Sequence, residues 1–120
     1  MSKQVPDAGD IISIDFETQA GREITKRRPA LVLSPKSFNQ ALGFAWICPI
    51  TSTPSKHPFQ LTVPPGIKGF HYPEPPGVSI VKVEQLRSLD YQARGAKILC
   101  GVPSSFLEQC RSVAGRVLGF

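Results

Sequence analysis

The chain has 120 residues, with 14 lysines and arginines against 9 acidic residues and a formal net charge of +5. This length supports one hydrophobic core, so a single domain over residues 1–120 is expected, and the basic balance favours a polyanionic partner such as nucleic acid or an acidic protein segment. Three cysteines without CxxC spacing argue against a disulfide framework or zinc site, and no stretch resembles a signal peptide or membrane span, so a cytoplasmic protein with reduced thiols is expected.

Residues 11–16 alternate β-branched and polar side chains after the turn pair Gly9-Asp10, which predicts the first strand. Residues 17–28 are polar and charged and read as a long loop. Residues 29–34 form the second strand. Pro29 forces Arg28 into an extended backbone, so the Arg28 side chain should leave the strand edge in a fixed direction. Residues 37–43 read as a connection, residues 44–50 as a third strand with Trp46 in the core, and residues 59–63 as a fourth. Prolines and glycines crowd residues 64–77, which excludes helix or central strand and predicts an irregular excursion carrying Phe70, His71 and Tyr72. Residues 78–83 read as a fifth strand, residues 85–91 as a turn or single-turn helix, and residues 96–100 as a further short strand. Phe106, Leu107, Cys110, Val113, Ala114, Val117 and Leu118 then recur at helical spacing, with Ser105 and Glu108 placed as a capping box behind Pro103. Short strands followed by one amphipathic helix predict a small, mainly β protein, a barrel or sheet covered on one side by the C-terminal helix.

The chemistry-bearing residues fit no metal or cofactor site. His57 and His71 lie far apart in sequence, no paired carboxylates accompany them, and there is no glycine-rich phosphate loop. Cations and hydroxyls at strand ends remain: Arg27 and Arg28 before the second strand, Thr51, Ser52 and Thr53 after the third, and Arg87 and Arg94 after the fifth. If strands two and three are neighbours, Arg28 and Thr51 share one rim, a geometry that grips a phosphate. Lys26, Arg27, Lys56 and Lys68 are either a solvated basic face or contacts to phosphates along a single strand. Phe70, His71 and Tyr72 either stack on splayed bases or pack under their loop or at a dimer interface.

The segments at residues 9–16, 28–34, 38–39, 49–52 and 85–95 occur in an order and spacing that resembles the MazF/PemK-type toxins over nearly the whole chain. The sequence departs from that pattern in residues 64–77 and at Glu84, where the family commonly has Asp before the Gln. The resemblance implies an SH3-like antiparallel β-barrel with a C-terminal helix, a homodimer, and a sequence-specific endoribonuclease of a toxin-antitoxin pair. It further implies that single-stranded mRNA is cut without a metal by attack of the 2′-hydroxyl, leaving 2′,3′-cyclic phosphate and 5′-hydroxyl ends. The catalytic pair maps onto Arg28 and Thr51, and Glu23 matches an acidic position that can accept the 2′-hydroxyl proton; His57 is chemically suited to the same task but matches no family position. Lys26, Arg27, Ser52, Thr53, Lys56 and His57 are the expected RNA contacts, while Gln85 and Arg87 are either RNA contacts or a network holding the barrel rim. The implied partner is a MazE/PemI-like antitoxin whose acidic disordered tail folds over the basic groove. A second class is open: non-catalytic, gyrase-poisoning relatives of the same fold act through a Trp-Gly-Ile-like tail. This chain ends Val117-Leu118-Gly119-Phe120 and keeps the Arg-Pro and Thr elements, which favours the enzyme.

Overall fold

The computed structural model describes residues 4–16, 27–53, 58–71 and 78–120. In chain order the elements are β1 (Asp10–Asp15), β2 (Arg27–Val32), α1 (Lys36–Leu42), β3 (Ala45–Thr51), β4 (Gln60–Thr62), β5 (Ile80–Lys82), a 3-10 turn (Val83–Gln85), β6 (Arg87–Leu89), β7 (Lys97–Gly101) and α2 (Ser104–Val117). The strands form one seven-stranded sheet in the order β4-β5-β3-β2-β1-β7, with β6 joined to β3. β3 is the spine: β2 lies along one edge, while β6 takes the first half of the other edge and β5 its end. All pairings are antiparallel, and among the described residues β7 does not pair back to β4, so the sheet is curled rather than closed by hydrogen bonds.

Period-two alternation sorts the strands' apolar residues onto two faces. Ile11, Leu31, Cys48, Ile50 and Val81 face α2, which covers them with Phe106, Leu107, Cys110, Val113 and Ala114. Ile12, Ile14, Ala30, Val32, Ala45, Ile47 and Leu89 line the opposite, concave face, closed with Tyr91 and bordered by Phe16 and Ile98. Both faces are buried along the centre of the sheet, which is why residues 30–34 read as an unbroken apolar run rather than an alternation. Cys48 and Cys110 lie inside as free thiols, and burial pushes the Cys110 thiol up to about 12 and that of Cys48 higher still.

Several sequence expectations need correction. β2 begins at Arg27, so the two arginines belong to the strand and not to the loop before it. Residues 37–43, expected as a plain connection, contain α1, which ends at Gly43 in the left-handed conformation (φ 75°). Its anchor is Asn39, fully buried and saturated: its amide nitrogen donates to the carbonyls of Pro6 (2.8 Å) and Ser34 (3.0 Å), and its Oδ1 accepts from the Ser34 hydroxyl (2.5 Å). The Tyr91 hydroxyl in turn donates to the Asn39 carbonyl (2.9 Å). Residues 85–91, expected as a turn or single-turn helix, hold strand β6, because β3 offers a free edge to which Arg87 and Ser88 can pair. The capping box does not form: Pro103 is the N-cap of α2, and no side chain bonds the first turn. Trp46 is 41% exposed rather than in the core, bordering an apolar groove of about 400 Å³ that it shares with Leu33, Leu86, Arg111, Ala114, Gly115 and Leu118. Val117 and Leu118 continue the apolar stripe of α2 past the sheet and are likewise exposed.

Candidate active site

β2 and β3 pair with Ala30 opposite Pro49 and Leu31 opposite Cys48. Continuing this antiparallel register two residues toward the rim sets Arg28 opposite Thr51. On its other side Arg28 is paired with Ile14 of β1, so alternation places Arg28, Thr51 and Ile14 on the concave face. The sequence expectation that Arg28 and Thr51 share a rim is met by this register. Arg28 is exposed, and among the described residues no hydrogen bond or ion pair engages its side chain. Thr51 is half-buried, and its hydroxyl oxygen accepts from the Thr53 N–H (3.2 Å), a turn that closes the end of β3. With one lone pair so engaged, the hydroxyl still has its hydrogen to donate to a ligand and a second lone pair to accept with.

A second cation joins the rim from across the curl. The Arg87 guanidinium stands 5.4 Å from the centroid of the Phe16 ring. Phe16 follows β1 and Arg87 begins β6, two strands separated in the sheet by β2 and β3, so on a flat sheet of ~4.8 Å strand spacing they would not meet. Their contact is made possible by the curl, with Arg28 and Thr51 on the intervening strands. Phe16 was not singled out by sequence reasoning, although it continues the Ile12, Ile14 alternation onto the same face; Arg87 was, but its neighbour depended on the curl.

Arg27 points to the other face. Its Nη2 donates to the Gly95 carbonyl and, at 3.4 Å, to that of Ser13, which fixes the guanidinium over the pairing of β1 with β7. Between these strands the register slips: Ile11 faces Cys100 and Ile12 faces Ile98, leaving Leu99 as the extra residue of a bulge. Leu99, Ser13, Arg27, Arg28, Phe70 and His71 line a cleft of about 340 Å³ on this side of the rim. Arg94, the fourth candidate arginine, is structural: its Nη1 donates to the carbonyls of Asp15 (3.2 Å) and Phe16 (3.1 Å) and ties down the end of β1.

Of the other sequence candidates, Ser52 and Thr53 are exposed just beyond β3, and Gln85 is exposed at the end of the 3-10 turn. Glu23, Lys26, Lys56, His57 and Tyr72 lie outside the described residues. Lys82 and Glu84 form an ion pair (3.4 Å) between β5 and the 3-10 turn. Among the described residues no three His, Cys, Asp or Glu side chains gather as a metal site would require.

Curled antiparallel sheet, covering helix and a cationic rim, where among the described residues Arg28 has no hydrogen-bond or ion-pair partner, define a small β protein whose rim suits an anion. Residues 7–118 match the family described as the PemK-like, MazF-like toxin of type II toxin-antitoxin system. The chain is 35% identical over 96 residues to the endoribonuclease toxin MazF of Escherichia coli K12, covering 80% of this chain and 78% of that protein. Its fold superposes on MazF of Deinococcus radiodurans with a TM-score of 0.81 at 36% identity, covering 98% of this chain and 100% of the other. A chain of the MazE-MazF complex of the same organism gives a TM-score of 0.83 at 39% identity, covering 98% and 99%. The chain therefore belongs to the MazF/PemK family of type II toxins.

Proposed function

We propose that this protein is an endoribonuclease toxin that cuts single-stranded mRNA in the cytoplasm, with Arg28 and Thr51 at the scissile phosphate. The carrying observation is the β2–β3 register, which continued two residues past Ala30 and Pro49 sets Arg28 opposite Thr51, with Arg28 in no ion pair among the described residues. The ribose 2′-hydroxyl attacks phosphorus, the P–O5′ bond breaks, and the products are a 2′,3′-cyclic phosphate and a 5′-hydroxyl. RNA supplies its own nucleophile, so the protein has three tasks: to align the 2′-oxygen with the leaving oxygen, to hold the charge of the phosphorane, and to manage two protons. Arg28 stabilises the phosphorane and donates the proton that makes the leaving 5′-oxygen a hydroxyl, while the Thr51 hydroxyl donates to a non-bridging oxygen. Glu23 accepts the 2′-hydroxyl proton. Arg87, Arg27 and, from the loops, Lys26, Lys56 and His57 hold flanking phosphates, which accounts for the net charge of +5.

The functional unit is a homodimer of one toxin domain, and its cognate partner is a MazE/PemI-like antitoxin. An acidic, disordered tail folding onto the Arg28 rim would compete with RNA for the same cations. The experiment is cleavage of varied single-stranded RNAs in excess EDTA, with chemical analysis of the ends. Cutting to cyclic phosphate and 5′-hydroxyl ends is expected, and Arg28→Ala should lower the rate by about a hundredfold or more with an unchanged circular dichroism spectrum. No cutting of any RNA would overturn the ribonuclease reading; undiminished cutting by Arg28→Ala would remove Arg28 from the mechanism.

A further inference from the structure

The Pro-rich excursion is where this sequence departs from its family pattern, and its described part is a built element. Gly66 (φ 80°) and Gly69 (φ 84°) turn the backbone, and the Phe70 N–H donates to the Ile67 carbonyl (3.3 Å). A Cβ on Gly69 would lie 3.1 Å from the Leu99 carbonyl, so only glycine lets the segment rest directly on the bulge of β7. Ile67 and Phe70 pack against the core under α2, and both stay partly exposed. The segment is thereby held at a fixed place relative to the Arg27–Arg28 rim.

Phe70 and His71 form a shared wall. On one side is the cleft with Arg27 and Arg28; on the other is a second cleft of about 430 Å³, lined by Thr62, Pro65, Ile67, Phe70, His71 and Ser79. Among the described residues this second cleft combines an aromatic ring and apolar walls with two hydroxyl-bearing residues, Thr62 and Ser79, and no carboxylate-bearing residue lines it. Such a lining suits a flat, uncharged, hydrogen-bonding ring: apolar surface for its faces and donor-acceptor groups for its edge. A charged phosphate finds its partners on the near side of the wall, at the guanidiniums.

We propose that the cleft behind Phe70 and His71 is a nucleobase pocket, which takes the base of a nucleotide flanking the scissile phosphate and sets part of the cleavage-sequence preference. The proposal rests on the ribonuclease reading for the position of the phosphate. A backbone crossing the rim at Arg28 turns one base over the Phe70–His71 wall, where it stacks on an aromatic side chain and bonds the exposed Thr62 through its edge. Phe70 and His71 are then specificity residues, and they take no part in the proton transfers.

The test is cleavage of a randomised single-stranded RNA library in EDTA with sequencing of the 5′-hydroxyl ends, for wild type, Phe70→Ala, His71→Ala and Thr62→Val. The base preference should weaken at one position beside the cut, with kcat/KM on the preferred sequence falling about tenfold and little change on a sequence already mismatched there. Because Phe70 also packs on the core, the exposed His71→Ala and Thr62→Val variants carry the test if Phe70→Ala unfolds. A preference profile identical to wild type in the folded variants would overturn the pocket while leaving the ribonuclease intact. If wild type cuts nothing, binding of 2′-O-methyl RNA oligonucleotides by fluorescence anisotropy still decides: a several-fold loss of affinity in His71→Ala supports the pocket, and unchanged affinity in His71→Ala and Phe70→Ala overturns it.

Discussion

Thr51 shows how a single hydroxyl is committed by its surroundings. Its oxygen already accepts from the Thr53 N–H, which holds the hydroxyl at the end of β3 and leaves its hydrogen free to donate to a ligand. Thr51→Val keeps the shape and removes both bonds; Thr51→Ser keeps both. We expect Thr51→Val to lower single-turnover cleavage about ten- to hundredfold, the worth of one hydrogen bond to a charged group, and Thr51→Ser to stay within about threefold of wild type. Equal rates for valine and serine would assign Thr51 to the turn alone. This pair was legible in the sequence because each residue adjoins an unmistakable strand, Arg28 before Pro29 and Thr51 after Pro49-Ile50, and antiparallel pairing of those strands fixes the rest. The Phe16–Arg87 contact was not legible, since it depends on how far four strands curl.

At the scale of elements, the fold depends on α1 more than its seven residues suggest. Asn39 joins the chain near Pro6, the end of β2 at Ser34 and the turn at Tyr91, and Ser34 continues the network by accepting from the Trp46 N–H (2.9 Å). Asn39→Ala leaves a buried hydroxyl and two buried carbonyls short of a partner, so urea unfolding should show a loss of about 2–4 kcal/mol. A loss below about 1 kcal/mol would mean that water or a rotated Ser34 satisfies the network. Sequence reasoning found β1 to β5, β7 and α2 within a few residues, because each carries an apolar period of its own. It missed α1 and β6 for a common reason: Ser37-Phe38-Asn39-Gln40-Ala41-Leu42 and Gln85-Leu86-Arg87-Ser88 are too short and too polar to declare a period, and they take their form from partners distant in sequence. Trp46 was misplaced by the opposite error, a strong apolar residue in a true strand that borders an open apolar groove.

For the molecule as a whole, the positive charge is unevenly placed. Arg111 and Arg94 are tied to backbone carbonyls and Lys82 to Glu84, whereas Arg28 and Arg87 sit at one rim, where among the described residues no carboxylate answers them. Like charges held together raise the free energy of the fold that holds them, and nothing comparable burdens the unfolded chain. Arg28→Ala should therefore melt higher than wild type, and millimolar phosphate or a short polyanion should raise the wild-type melting temperature by about 2–5 °C while leaving Arg28→Ala nearly unmoved. Equal shifts in both proteins, followed by differential scanning fluorimetry, would place the anion elsewhere. With no carboxylate among the described residues answering Arg28, the toxin without an anionic ligand is expected to be the least durable form of the molecule. On that expectation substrate and antitoxin alike act as folding ligands, and a toxin that loses both stands nearer to unfolding.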